Sequence, residues 1–203
     1  MIKARHNKLY IWFFWTYFRL MRKIYFSKMK IVTEIHIPEN QSVLLLQNHF
    51  SWYDGYFSYE LSRNVFKRKF HVMMLEDQLR KRMFLNRTGI FSIRENSRDF
   101  LNSLQYTSDL LGDPKNLVAV YPSGELLTQH QQFVPVKRGI NRIFKGEPDQ
   151  FAIVMVVVLI DYFSLVRPEI RIYLENYSGE RTAEAIEKEY NSFYQSCIKS
   201  QIE

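Results

Sequence analysis

Apolar residues in this chain gather first into one long, interrupted run and then into short runs separated by turn residues. Leu9 to Met21 is apolar and aromatic, broken by Thr16 and Arg19. Val43 to Gln47, Phe70 to Leu75, Leu117 to Tyr121 and Ile170 to Leu174 have the length and bulky composition of strands, and Phe91 to Arg94 reads as extended. A further strand is expected over residues 31 to 37, closed by the turn Pro38-Glu39-Asn40. Phe151 to Ile160, apolar throughout and bounded by Asp149 and Asp161, is too short to cross a bilayer and predicts a central strand. Helical stretches alternate with these strands: residues 52 to 63, Glu76 to Leu85, Ser97 to Leu111, a short one at Ile140 to Phe144, and Thr182 to Ile202. The last places Ile186, Tyr190, Phe193 and Cys197 on one face. The alternation predicts an α/β fold, a single domain over residues 31–203 whose central mixed, largely parallel sheet is flanked by helices. An N-terminal helical segment, residues 1–30, precedes it.

That segment has two faces. At ~100° per residue, Arg5, Lys8, Trp12, Trp15, Thr16, Arg19, Arg22 and Lys23 share an arc of ~120°, while Leu9, Tyr10, Phe13, Phe14, Tyr17, Leu20, Met21 and Ile24 point away from it. Such a helix suits a membrane interface, apolar side toward the acyl chains and cations toward anionic head groups, with the Trp rings and Tyr17 at the boundary. The other reading is a helix packed on the protein's own sheet with a solvated basic edge. At ~1.5 Å per residue the run reaches ~20 Å, short of a ~30 Å hydrocarbon core, so no complete transmembrane span is expected. A signal peptide is a poor match, since Arg22 and Lys23 stand where a small-residue cleavage site would follow.

Charge sharpens this picture. The chain of 203 residues carries a formal +7, yet eight of its 28 Lys and Arg, and no acid, lie in residues 1 to 30, leaving 20 basic against 21 acidic side chains elsewhere. An anionic partner should therefore meet the N-terminal segment, and the solid apolar face opposite the cations argues for a membrane and against nucleic acid. Cys197, the single cysteine, allows no internal disulfide and is expected to be buried and structural. His71 and His130 have no metal-ligand spacing with His49, so no metal site is expected.

The candidate chemistry lies at the foot of the Val43 strand, in Asn48-His49-Phe50-Ser51-Trp52-Tyr53-Asp54. On one unbroken helix His49 and Asp54 would stand ~140° apart, so a helix must begin between them for the two to meet. With Ser51 as its N-cap, Asp54 falls in the first turn and His49 on the corner where it can fold back. A carboxylate on one ring nitrogen fixes the tautomer and frees the other nitrogen to take a hydroxyl proton. A capping Asp beside a structural His would give the same spacing. Two further segments carry site character: Gly89 to Arg94, ending in a side chain suited to phosphate or carboxylate, and Tyr121-Pro122-Ser123-Gly124-Glu125, a tight turn after a buried strand. Ser123 lacks the Gly-x-Ser-x-Gly elbow of a hydrolase nucleophile.

In order and spacing, Asn48-His49-x4-Asp54, Gly89 to Arg94, Tyr121-Pro122-x-Gly124 and Lys137-Arg138-Gly139 with the apolar strand from Ile153 resemble the four blocks of the glycerophosphate and lysophospholipid acyltransferase family, over roughly residues 35 to 160. The resemblance implies transfer of a fatty acyl group from acyl-CoA or acyl carrier protein to a hydroxyl of a lysolipid or lipid precursor, without cofactor or metal, by a peripheral or monotopic protein on the cytoplasmic face of the cell membrane. It implies His49 as general base and Asp54 as its orienting partner, with Asn48, Arg94, Ser123, Gly124, Glu125, Lys137 and Arg138 binding substrate. The family's third block commonly reads Phe-Pro-Glu-Gly-Thr-Arg; here Ser123, Glu125 and Leu126 replace its Glu, Thr and Arg. Losing that Arg removes a phosphate contact and Glu125 would repel one, so the expected acceptor shifts toward a sugar or amine head group. A non-catalytic lipid-binding protein of this fold and an acyl-thioester hydrolase are the alternatives.

Overall fold

The computed structural model describes residues 1–94, 98–145 and 151–202; Ser97 and Asp149, used above to bound elements, lie outside them. Seven strands form one sheet: β1 (Lys28–Ile31), β2 (Ser42–Gln47), β3 (Lys69–Leu75), β4 (Ile90–Ile93), β5 (Asn116–Val120), β6 (Phe151–Asp161) and β7 (Glu169–Tyr177), in the order β1-β7-β6-β2-β5-β3-β4. β2 to β6 run parallel, and β7 reverses direction against β6. The helices are α1 (Lys8–Tyr25), α2 (Asp54–Glu60, continued by a π-helical turn Leu61–Val65), α3 (Glu76–Lys81), α4 (Arg98–Leu111) and α5 (Ala183–Lys199), with 3-10 segments at Met83–Arg87 and Arg138–Lys145.

β2 is buried along its whole length, which is why it reads as a continuous apolar run without alternation. Its even side chains, Leu44 and Leu46, join a core with α4, α5 and the 138–145 segment; its odd ones, Val43 and Leu45, join a second core with α1 and α2. Two cores on the two sides of one sheet are the consequence of the strand's period of two.

The structure moves the strand expected over residues 31 to 37 back to β1 at 28–31, which shares only Ile31 with it. Beyond Ile31 only Val32 continues the pairing, donating to the Ile172 carbonyl at 2.8 Å, and then the Thr33 hydroxyl replaces the backbone by bridging both the N–H and the carbonyl of Leu174. Periodicity cannot foresee a side chain taking over a ladder.

Helix α1 is capped by the Asn7 side chain, which accepts from the amides of Leu9 and Tyr10, and it ends with Arg22 and Lys23 at the negative end of its dipole. Phe14 stacks on Phe84 at 5.3 Å and Phe18 on Tyr56 at 5.6 Å, so one side packs on the body. Leu9, Trp12, Phe13, Tyr17, Leu20 and Ile24 stay exposed on the other. Trp15, on the basic arc of the wheel, turns inward because α2 offers partners: its Nε1 donates to Glu60 at 2.6 Å, and the Arg63 guanidinium lies 4.1 Å from its ring. Among the described residues no helix is long and apolar enough to cross a membrane. Upstream of the helix, residues 2 to 7 lie against the strand β4 region, with the Arg5 carbonyl accepting from Gly89 at 2.9 Å. Gly89 has φ +101°, and a Cβ there would come within 2.3 Å of the Phe70 carbonyl, so this crossing requires glycine.

Candidate active site

The chain leaves β2 toward the α2 face of the sheet and leaves β5, its neighbour, toward the opposite face, where Ile140 and Ile143 of the 138–145 segment pack. A crevice opens at the C-terminal ends of two parallel strands whose connections part in this way. His49 stands on one lip and the 121–125 turn on the other.

His49 Nδ1 lies 2.7 Å from Asp54 Oδ2, and the same oxygen accepts the amides of Phe50 and Ser51 at 2.8 Å each. The helix start is therefore built in the reverse sense from the one expected. Ser51 is not the N-cap; α2 begins at Asp54, whose side chain reaches back to the loop amides while the Ser51 hydroxyl accepts from Tyr53. The spacing of five is what lets one carboxylate oxygen close the loop and hold the imidazole. Asp54 is fully buried, and its Oδ1 has no hydrogen-bond partner. Burial pushes its carboxyl above the ordinary range, opposed by the hydrogen bonds from His49 and the loop amides. The imidazole keeps 25% of its side-chain surface exposed, so with Nδ1 engaged Nε2 is left for a substrate.

Tyr121 stacks on the imidazole at 4.2 Å between centroids and 14° between planes. Burial, and next the charge of Asp54, raise its hydroxyl well above the tyrosine range, so it stays neutral beside the pair. Ser58 donates to Gln47 at 2.8 Å, fixing α2 to the end of β2, and its hydroxyl is 3.5 Å from that of Tyr121. The Leu127 amide donates to the His49 carbonyl at 2.7 Å and latches the two lips together. Tyr121, Ser58 and Gln47 were not singled out as site residues, although Tyr121 stood in the motif; an aromatic ending a buried strand carries no signal of what it will stack on.

The remaining candidates separate in space. Gly124, Glu125 and Lys137 line the crevice with His49. Gly124 adopts φ +66°, where a Cβ would meet the Lys137 side chain at 2.8 Å, and Lys137 Nζ lies 3.8 Å from Glu125 Oε1. Ser123 is buried and donates to the Glu125 carbonyl, shaping the turn. Asn48 spends its amide on β6, donating to the Val158 carbonyl and accepting its N–H, each at 2.8 Å. Arg94 follows β4 and pairs with Glu76 at 2.7 Å, and Arg138 lies 3.4 Å from Glu184; neither borders the crevice. Among the described residues no three His, Cys, Asp or Glu side chains gather as a metal site. Cys197 is buried, which pushes its thiol up to about 12.

The crevice opens into a largely apolar cavity of about 710 Å³. It extends beneath α1, past Phe18, Tyr56, Val72 and Leu85, and also between α4 and the 138–145 segment, past Phe100, Leu104 and Ile143. A base at the mouth of an apolar cavity can activate a hydroxyl against an ester or thioester whose chain the cavity holds.

The family model described as acyltransferase matches residues 28–158. The crystal structure of the 1-acyl-sn-glycerophosphate (LPA) acyltransferase PlsC from Thermotoga maritima shares the fold, with a TM-score of 0.59 at 12% identity, over 92% of this chain and 78% of that one. No curated protein matches the chain.

Proposed function

We infer that this chain, which belongs to the acyltransferase family, moves a fatty acyl group from the thioester of acyl-CoA or acyl carrier protein to a hydroxyl of a lysolipid. The observation that carries this reading is His49, held on Asp54 through Nδ1 and set at the mouth of the apolar cavity. Nε2 accepts the proton of the acceptor hydroxyl as its oxygen attacks the thioester carbonyl. The carbon–oxygen bond forms, the tetrahedral intermediate collapses, the carbon–sulfur bond breaks, and the thiolate leaves with the proton returned by the imidazolium. Asp54, in a buried site where charge interactions are strong, stabilises that imidazolium and holds the ring in the reactive tautomer. The reaction as drawn needs no metal or cofactor.

Around the mouth the Glu125 and Lys137 pair supports an acceptor head group with hydroxyl or amine character. The exposed stripe Leu9, Phe13, Leu20 and Ile24, flanked by Lys8, Arg19 and Lys23, supports seating on the anionic cytoplasmic face of the cell membrane. Incubation of the full chain with labelled acyl-CoA or acyl carrier protein and a lipid extract tests the reading. A labelled lipid is expected with the native chain, and His49→Ala should reduce it at least ~10³-fold with membrane binding unchanged. Labelled free fatty acid alone would mark a hydrolase, and no product a lipid-binding protein.

A further inference from the structure

Residues 162–168 join β6 to β7 at the sheet end where His49 stands, because β2 and β6 are parallel neighbours. Loops open to water favour small and polar turn residues, yet this one carries Tyr162, Phe163, Leu165 and Val166. Phe163 and Leu165 are half-buried. The Arg171 guanidinium lies 4.0 Å from the centre of the Phe163 ring, and the Leu165 amide donates to the Tyr162 carbonyl at 2.8 Å. Phe163 takes φ +46°, a left-handed step that an aromatic residue adopts only where its surroundings impose it, so the tip has one fixed shape. That shape leaves the other two outside. Tyr162 is 59% exposed and Val166 95%, the most exposed large apolar side chain among the described residues.

The tip is fastened to the end of α1. Arg167 donates to the carbonyls of Lys23 and Ile24 at 2.7 and 3.2 Å, and the Pro168 carbonyl accepts the Ser27 amide at 2.9 Å. One exposed apolar side chain needs no explanation. Two on a fixed tip, beside the exposed Leu20, Ile24 and Tyr25 of α1, form a patch that folding does not use. Charge selects what covers it. Residues 161–169 hold two acids: Glu169 is buried between Lys30 at 3.0 Å and Arg171 at 2.8 Å, and Asp161, at the base, accepts the Tyr162 amide at 2.8 Å. Lys23 and Lys28 are exposed beside the patch, Lys23 in the turn that Arg167 caps and Lys28 opposite Glu169 in the sheet. An apolar tip with a tyrosine, flanked by cations, fits the interface of an anionic bilayer. Resting on the proposed seating of α1 on such a surface, we propose that the β6–β7 tip is a second membrane contact, which inserts Val166 among the acyl chains with Tyr162 at the head groups. Contact there holds the end of the sheet that carries His49 against the lipid.

Cys197 is buried, with its thiol pushed up to about 12, so a single introduced cysteine takes a thiol-reactive dye selectively. The full chain, carrying an environment-sensitive dye at Val166→Cys, Leu20→Cys or Lys188→Cys, is mixed with vesicles of phosphatidylglycerol and phosphatidylcholine. The Val166 and Leu20 labels should brighten several-fold and be quenched by nitroxides placed high on the lipid acyl chains. The Lys188 label, exposed on α5, should not respond. Tyr162→Asp combined with Val166→Asp should weaken vesicle binding about tenfold, with an unchanged circular dichroism spectrum because both side chains are exposed. A Val166 label that stays aqueous while the Leu20 label inserts would overturn the tip contact and leave the seating of α1 in place. Insertion of neither label would remove that seating, and the tip contact with it. Shielding of the Val166 label by added unlabelled protein, without vesicles, would mark a contact between copies of the chain and overturn the proposal too. Insertion is read without turnover, so the acyl-transfer reading stands or fails separately.

Discussion

Two carboxylates begin helices at the ends of parallel strands on either side of β5, Asp54 after β2 and Glu76 after β3, and they have been put to opposite uses. Asp54 Oδ2 takes two loop amides and one imidazole, and Oδ1 takes nothing. Glu76, equally buried, takes the guanidinium groups of Arg80 and Arg94 at 2.7 Å, the Ser92 hydroxyl at 3.1 Å and the N-terminal ammonium at 3.7 Å. The hydrogen bond from Arg80, then Ser92, Arg94 and the ammonium, pull Glu76 down to about 2 against its burial, whereas burial wins at Asp54 and pushes it up. Permanent cations consume a carboxylate's charge and make it a structural knot. A titratable partner with a free nitrogen leaves the charge available for a proton transfer. Exposure separates them as well, since the imidazole faces the cavity and the Arg pair faces solvent.

Three substitutions probe that contrast. Asp54→Asn should reduce acyl transfer by ~10²–10³-fold, because an amide neither enforces the tautomer nor stabilises an imidazolium; single-turnover assays beside circular dichroism would read it, and a mutant at native rate would place Asp54 with Glu76 as a structural residue. Glu76→Gln should leave transfer within about twofold, as expected of a residue outside the chemistry, yet cost about 2 kcal/mol of stability near neutral pH, after discounting for half-exposed Arg partners. The sign follows from its depressed pKa: the stabilisation is complete above the ordinary glutamate value and is lost as pH falls toward about 2. Denaturant unfolding across that acid range should therefore steepen with pH in the native chain more than in the mutant. Arg94→Ala should have the smallest effect, under about 1 kcal/mol, with the acceptor KM unchanged. A several-fold rise in that KM would return Arg94 to acceptor binding, the role its motif implies.

How far the fold was legible varies with how local its cause is. Seven strands were expected and seven are present; β2, β5 and β6 were the plainest, because strands buried on both faces are apolar nearly throughout and leave that mark in the sequence. The first was misplaced, since Thr33 pairs by its hydroxyl with a strand 141 residues away. His49 and Asp54 were legible as a pair because their contact spans one turn of chain. The sense of the helix start was not, as Ser51 and Asp54 both satisfy the same capping pattern and geometry alone chooses between them. Trp15 shows the other limit. A helical wheel divides a helix into faces but holds no information on which face meets α2, where Glu60 and Arg63 wait.

From composition and periodicity alone follow the α/β class, the positions of every strand but the first, the basic and aromatic N-terminal helix and the His49–Asp54 pair, all consequences of contacts between near neighbours or of burial. Strand order, by contrast, arises from pairings between residues far apart in the chain, and from it come the parting of connections between β2 and β5, Tyr121 on the imidazole, Arg94 on Glu76 and the cavity that rounds the end of the sheet. Those features depend on which distant residues come together, a matter of packing free energy summed over the whole molecule and invisible to any short window of sequence.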